Sequence, residues 1–129
     1  MATQERPLSP HLQVYKPQIT SVMSIMHRVT GVVLAVGSFV LAAWLVAAAG
    51  SPQAYGTFAS LVGSLVGKLA LFVFSACLVY HFLNGLRHLA WDTGRGYDMP
   101  KVYASGYTVL ALSVALTAAL WWFALGGAA

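Results

Sequence analysis

The sequence predicts an all-α integral membrane protein with three transmembrane helices. Two observations carry the prediction. Of 129 residues, 59% are hydrophobic and only 8% charged, where a soluble domain carries about a quarter charged residues. No charged residue lies between Arg28 and Lys68, between Lys68 and Arg87, or after Lys101. A helix rises about 1.5 Å per residue, so about 20 apolar residues cross the roughly 30 Å hydrocarbon layer. The apolar runs are continuous rather than alternating, which argues against barrel strands.

The elements follow in order. Residues 1–20 form a polar N-terminal segment with Pro7, Pro10 and Pro17 and no apolar core. The first span covers 21–49 and ends at the turn signal Gly50-Ser51-Pro52. The second covers 64–89 and stops before Asp92-Thr93-Gly94-Arg95-Gly96. A loop over 90–103 precedes the third span, 104–125, where Trp121 and Trp122 suit an aromatic belt. Basic residues set the orientation. Arg6, Lys16 and Arg28 flank the first span, and Arg87, Arg95 and Lys101 flank the 90–103 loop. The first connection and the C-terminal tail contain neither Lys nor Arg. The positive-inside rule places the N-terminus and the 90–103 loop in the cytoplasm and the C-terminus in the periplasm. Lys68, near the outer end of the second span, has a stem long enough to reach the interface.

Composition also excludes function classes. The net charge of +4 comes without a basic run, so it marks membrane orientation rather than a nucleic-acid face. Cys77 is the only cysteine, which rules out an intrachain disulfide, a CxxC zinc site and CxxCH heme attachment. Neither a secretory signal nor an Arg-rich presequence is apparent at the start. The expected location is therefore a bacterial inner membrane, crossed several times.

Polar residues at membrane depth are costly and concentrate at sites and helix contacts. Ser24, His27, Arg28 and Gly31 share one helical face near the start of the first span. Arg28 alone reads as a snorkelling anchor. With Ser24 one turn before it, the pair also suits a quinone carbonyl or an acidic headgroup. His81, Gly85, His88 and Asp92 share a face of the second span, with His81 about 10 Å deeper than His88. A buried imidazole needs a partner. A neighbouring helix supplies one reading. Axial ligation of a b-type heme supplies the other, with Gly85 leaving room for the macrocycle and Arg28, His27 and His88 near its propionates. His11, His27 and His88 are all expected at shallower levels than His81. A second histidine ligand would then come from another polypeptide.

Three separated motifs carry a resemblance. They are Arg6-Pro7-Leu8-Ser9-Pro10-His11, then Ser24-x-x-His27-Arg28-x-Thr30-Gly31, then His81-x-x-x-Gly85-x-Arg87-His88-Leu89-x-Trp91-Asp92. Together they resemble the cytochrome b556 subunit family of succinate dehydrogenase, one of two small membrane anchors in respiratory complex II. The resemblance covers residues 6 to 92; the third span matches only in being apolar. It implies a four-subunit succinate:ubiquinone oxidoreductase of the tricarboxylic acid cycle and respiratory chain, in which this chain is not catalytic on its own. The partners implied are a flavoprotein, an iron–sulfur subunit and a second anchor that shares one heme b in a common helix bundle. Carried over, His81 is the axial ligand of the heme iron, and Ser24 and Arg28 line the ubiquinone pocket. His27, Arg28 and His88 surround the heme propionates. The 6–11 segment and the 90–103 loop face the iron–sulfur subunit. Two rival readings are a purely structural anchor and a small cytochrome b serving another quinone-linked dehydrogenase.

Overall fold

The computed structural model describes residues 16–126. The 6–11 motif, His11 and most of the 1–20 segment lie outside the described residues. Four helices follow one another: α1 (Ile19–Gly50), α2 (Pro52–Gly63), α3 (Leu65–Asp92) and α4 (Met99–Ala124). Three of them, α1, α3 and α4, are long and apolar enough to cross a membrane. At 32, 28 and 26 residues each exceeds the roughly 20 residues a bilayer core requires. The protein is an all-α membrane protein.

The fourth helix, α2, occupies the stretch read from sequence as a plain connection. Its start is built from that same turn signal. Ser51 caps it by accepting from the Ala54 amide at 3.2 Å, and Pro52 takes the first helical turn, where its missing N–H costs nothing. Ser64 ends α2 and caps α3, accepting from the Gly67 amide at 3.1 Å. Gly67 is required there, because a side chain would overlap the backbone carbonyls of Leu61 and Val62. One serine therefore closes one helix and opens the next.

At the opposite end of the bundle α4 begins at Met99, so the non-helical stretch shrinks to 93–98. Pro100 sits in its first turn and again needs no hydrogen-bond acceptor. Gly94 and Gly96 have φ of 78° and 81°, the left-handed region that glycine enters without strain. They fold the turn back onto Trp91, whose indole N–H donates to the Gly96 carbonyl at 3.2 Å. Lys101 and Asp98 pair at 2.7 Å on the exposed surface, an arrangement that adds little stability.

The interior is small and strongly polar. α3 packs against both α1 and α4. Met23, Tyr80 and Val109 form its apolar centre, flanked by Ile19, Leu83 and Leu110. Thr30, Asn84, Arg87 and Thr117 are buried beside them. Most large apolar side chains point outward, Phe39, Val46, Val66 and Val114 among them. Arg87 is the knot. Its Nε donates to Ser105 Oγ and its Nη2 to the Val102 carbonyl, both at 2.9 Å. Nη1 reaches Asn84 Oδ1 at 3.4 Å and Met23 Sδ at 3.6 Å, while the guanidinium lies 4.2 Å from the Trp91 ring centroid. Sequence alone marks Arg87 as a flanking charge; the structure buries it between α1, α3 and α4.

Arg87→Ala is expected to destabilise the bundle by about 2–3 kcal/mol, the scale of charge-assisted hydrogen bonds lost from a buried site. Arg87→Lys should recover only part, since an ammonium lacks the guanidinium fork. Thermal denaturation of the detergent-purified protein checks both, and an unchanged midpoint for Arg87→Ala would refute the assignment.

Candidate functional site: a histidine cluster between two helices

Where α1 passes α3, the 27–31 turn of α1 meets His81. Thr30 is β-branched and buried, with its hydroxyl donating to the His27 carbonyl one turn back at 3.0 Å. That bond aims the remaining lone pairs of Oγ1 away from its own helix. His81 Nδ1 lies 3.1 Å from Thr30 Oγ1 and 3.1 Å from the same His27 carbonyl. A carbonyl oxygen has no proton to give, so Nδ1 must carry the hydrogen and donate to both. The tautomer follows from the network. In the neutral ring Nε2 then keeps its lone pair, and it has no hydrogen-bond partner among the described residues.

Gly31 makes this approach possible. A Cβ there would come within 3.1 Å of His81 Cε1, closer than side chains normally pack. The His27 ring stacks on His81 with centroids 3.9 Å apart and planes at 7°. His88 meets His27 edge-on at 4.9 Å and stacks on Trp91 at 5.4 Å. Tyr80, next to His81, donates its hydroxyl to the Met23 carbonyl at 2.8 Å and locks α3 onto α1 just beside the cluster.

The three histidines singled out from sequence therefore come together. Ser24 and Arg28 do not join them. Ser24 is half-buried and Arg28 exposed on the edge of α1, and among the described residues neither side chain hydrogen-bonds another. The expectation that His27 lies shallower than His81 does not hold, because the two rings are level. Helix α1 starts at Ile19 and α3 continues to Asp92, so each residue is well inside its helix and the antiparallel pair brings them side by side. Asp92 is exposed and lies apart from the cluster. Thr30, Tyr80 and Asn84 were given no role from sequence, although all three share helical faces with histidines or with Arg87.

Two features leave the cluster incomplete. Among the described residues His27 Nδ1 is buried without a hydrogen-bond partner, an unusual condition for a polar atom. A Cβ at Gly85, one turn from His81, would meet none of the described residues within 4 Å. Among the described residues no three His, Cys, Asp or Glu side chains converge to hold a metal ion by themselves.

Comparison with known proteins identifies the lineage. Residues 2–120 match the model of the succinate dehydrogenase/fumarate reductase transmembrane subunit family. The chain belongs to this family. It is 40% identical to the succinate dehydrogenase cytochrome b556 subunit of Rickettsia prowazekii over 117 residues, 91% of each chain. It is 42% identical to the subunit of the same name from Paracoccus denitrificans over 111 residues, 86% of this chain and 85% of that one. The mitochondrial cytochrome B subunit of succinate dehydrogenase from Schizosaccharomyces pombe is 43% identical over 114 residues, 84% of this chain and 63% of that one. In this member of the transmembrane subunit family the described residues bring His27, His81 and His88 together.

The tautomer can be checked directly. In protein labelled with ¹⁵N-histidine, His81 should show a protonated Nδ1 and an unprotonated Nε2 in its nitrogen chemical shifts. Gly31→Val should displace the ring and abolish that signature; a spectrum unaffected by the substitution would show that the approach over Gly31 is not needed.

Proposed function

We propose that the chain is the cytochrome b membrane anchor of a succinate:ubiquinone oxidoreductase, holding one heme b jointly with a second anchor and forming part of the quinone site. One observation carries the heme assignment: His81 donates its Nδ1 proton to α1, and among the described residues its Nε2 has no hydrogen-bond partner. That is how a metal-ligating imidazole is normally held, with the other ring nitrogen tied to an outer partner. The residues fit the group in two further ways. The buried, unpartnered Nδ1 of His27 suits a heme propionate, and the open space over Gly85 suits a flat macrocycle.

The same stack supports a shared site. Stacked rings 3.9 Å apart would not hold a heme between them, so His81 and His27 would not both serve as its ligands. His27 is therefore assigned to the propionate surround with His88 and Arg28, and the second axial ligand to the partner anchor. Heme b, when bound, supplies a one-electron carrier.

Ser24 and Arg28 lie i and i+4 on α1 and project from its edge rather than into the chain's own core. In this reading they meet ubiquinone. The Ser24 hydroxyl hydrogen-bonds a quinone oxygen, and the Arg28 guanidinium stabilises the negative charge that builds there as electrons arrive. Electrons come from succinate through the flavoprotein and iron–sulfur subunits, so this chain binds and orients without oxidising succinate itself. The end of the bundle carrying the 93–98 turn faces those subunits in the cytoplasm, and the 50–63 segment and the C-terminus face the periplasm.

In the assembled complex, His81→Leu should abolish or strongly perturb the b-type α-band of the reduced-minus-oxidised spectrum; a wild-type spectrum would sink the ligand assignment. Arg28→Leu should lower ubiquinone reduction by about a hundredfold, the scale of losing one charge-stabilising donor. Succinate oxidation by artificial dyes should be unchanged. Equal loss of both activities would indicate failed assembly instead of a quinone role.

A further inference from the structure

We propose that Thr30 is a positioning residue for the heme ligand, its hydroxyl fixing the plane of the His81 imidazole and setting how strongly that ring donates to iron. The inference rests on the reading of His81 as an axial ligand and goes beyond it to a residue that makes no contact with the heme.

The geometry assigns the role to the hydroxyl rather than to the bulk of the side chain. Thr30 is 8% exposed, and its Oγ1 is held by its own bond to the His27 carbonyl. It therefore presents a fixed lone pair to His81 Nδ1 at 3.1 Å. The His27 carbonyl accepts from the same N–H at 3.1 Å. A proton shared between two acceptors on one rigid helical turn fixes the imidazole plane as well as its tautomer, which a single acceptor would leave free to pivot. Each acceptor also draws the Nδ1 proton outward and makes the ring more anionic, hence a better donor to ferric than to ferrous iron. Gly31, the next residue, lets the ring come this close. One residue supplies the acceptor and its neighbour supplies the space.

Valine is nearly the same shape as threonine but lacks the acceptor. In the assembled complex, Thr30→Val should keep heme while raising its midpoint potential. The expected change is threefold to tenfold in the ferrous-to-ferric preference, about 30 to 60 mV for a one-electron couple. The low-spin ferric electron paramagnetic resonance signal, which reports the relative orientation of the two axial imidazole planes, should shift or broaden. Thr30→Ser, which keeps a hydroxyl on the same carbon, should return both readouts toward wild type. Heme loss in Thr30→Val that Thr30→Ser restores would support the same role. A wild-type potential and resonance signal in heme-replete Thr30→Val would overturn it, as would equal perturbation by Val and Ser. The His81→Leu spectrum separates the two levels: an intact heme there sinks the ligand assignment itself, whereas an inert Thr30 sinks only its positioning role.

Discussion

A guanidinium buried where three helices meet is the constraint around which this bundle is arranged. In hydrocarbon, helix association gains little from apolar burial, because lipid tails are as apolar as leucine; packing and interhelical hydrogen bonds carry it instead. Arg87 supplies both. Its fork ends on a serine and a carbonyl of α4, reaches an asparagine of its own helix and the sulfur of Met23 on α1, and is covered by Trp91. Among the described residues no carboxylate pairs with it, so its charge is spread over neutral acceptors and an aromatic face. The price is specificity of geometry: those acceptors converge only when α1, α3 and α4 stand in one register. That register in turn brings the 27–31 turn opposite His81.

Helix α3 divides its polar residues between two adjacent faces. Tyr80, Asn84, Arg87 and Trp91 form one row, and it is consumed in packing this chain. His81, Gly85 and His88 form the next row, one residue over, and stay half-buried. The first row satisfies its polar atoms almost completely within the chain, the Asn84 Nδ2 being an exception. Among the described residues the second leaves His81 Nε2 without a partner and the space over Gly85 open. A polar row at membrane depth that its own chain does not satisfy needs something from outside the chain, and the proposed heme and partner anchor meet that need.

How much of this was legible in the sequence depends on whether a residue's role is set by its own helix or by a neighbouring one. The three long helices were legible, because an apolar charge-free run of that length has few alternatives. Grouping Ser24, His27, Arg28 and Gly31, or His81, Gly85 and His88, needed only helical periodicity. Helix α2 was hidden because Gly50-Ser51-Pro52 signals a turn and a helix start equally well. The early start of α4 was hidden by Asp98 and Lys101, charges that read as loop. Arg87 counted as a flank because a single sequence does not reveal which way an arginine points. The relative depth of His27 failed for the same reason: it depends on how two helices slide past each other, which the Arg87 and Tyr80 contacts decide.

Thr30 is the sharpest case of a role invisible until helices are paired. In an apolar helix a threonine folds its hydroxyl back onto its own backbone, and Thr30 does so. Read along α1 alone, it is a satisfied residue with nothing left to explain. Pairing with α3 changes its meaning, because a hydroxyl that has spent its proton still has lone pairs to offer. Here they face the one imidazole N–H that must be occupied if the opposite nitrogen is to serve a metal. The hydrogen bond that makes Thr30 look inert in sequence is thus what fixes the direction of its acceptor, and so the plane of His81.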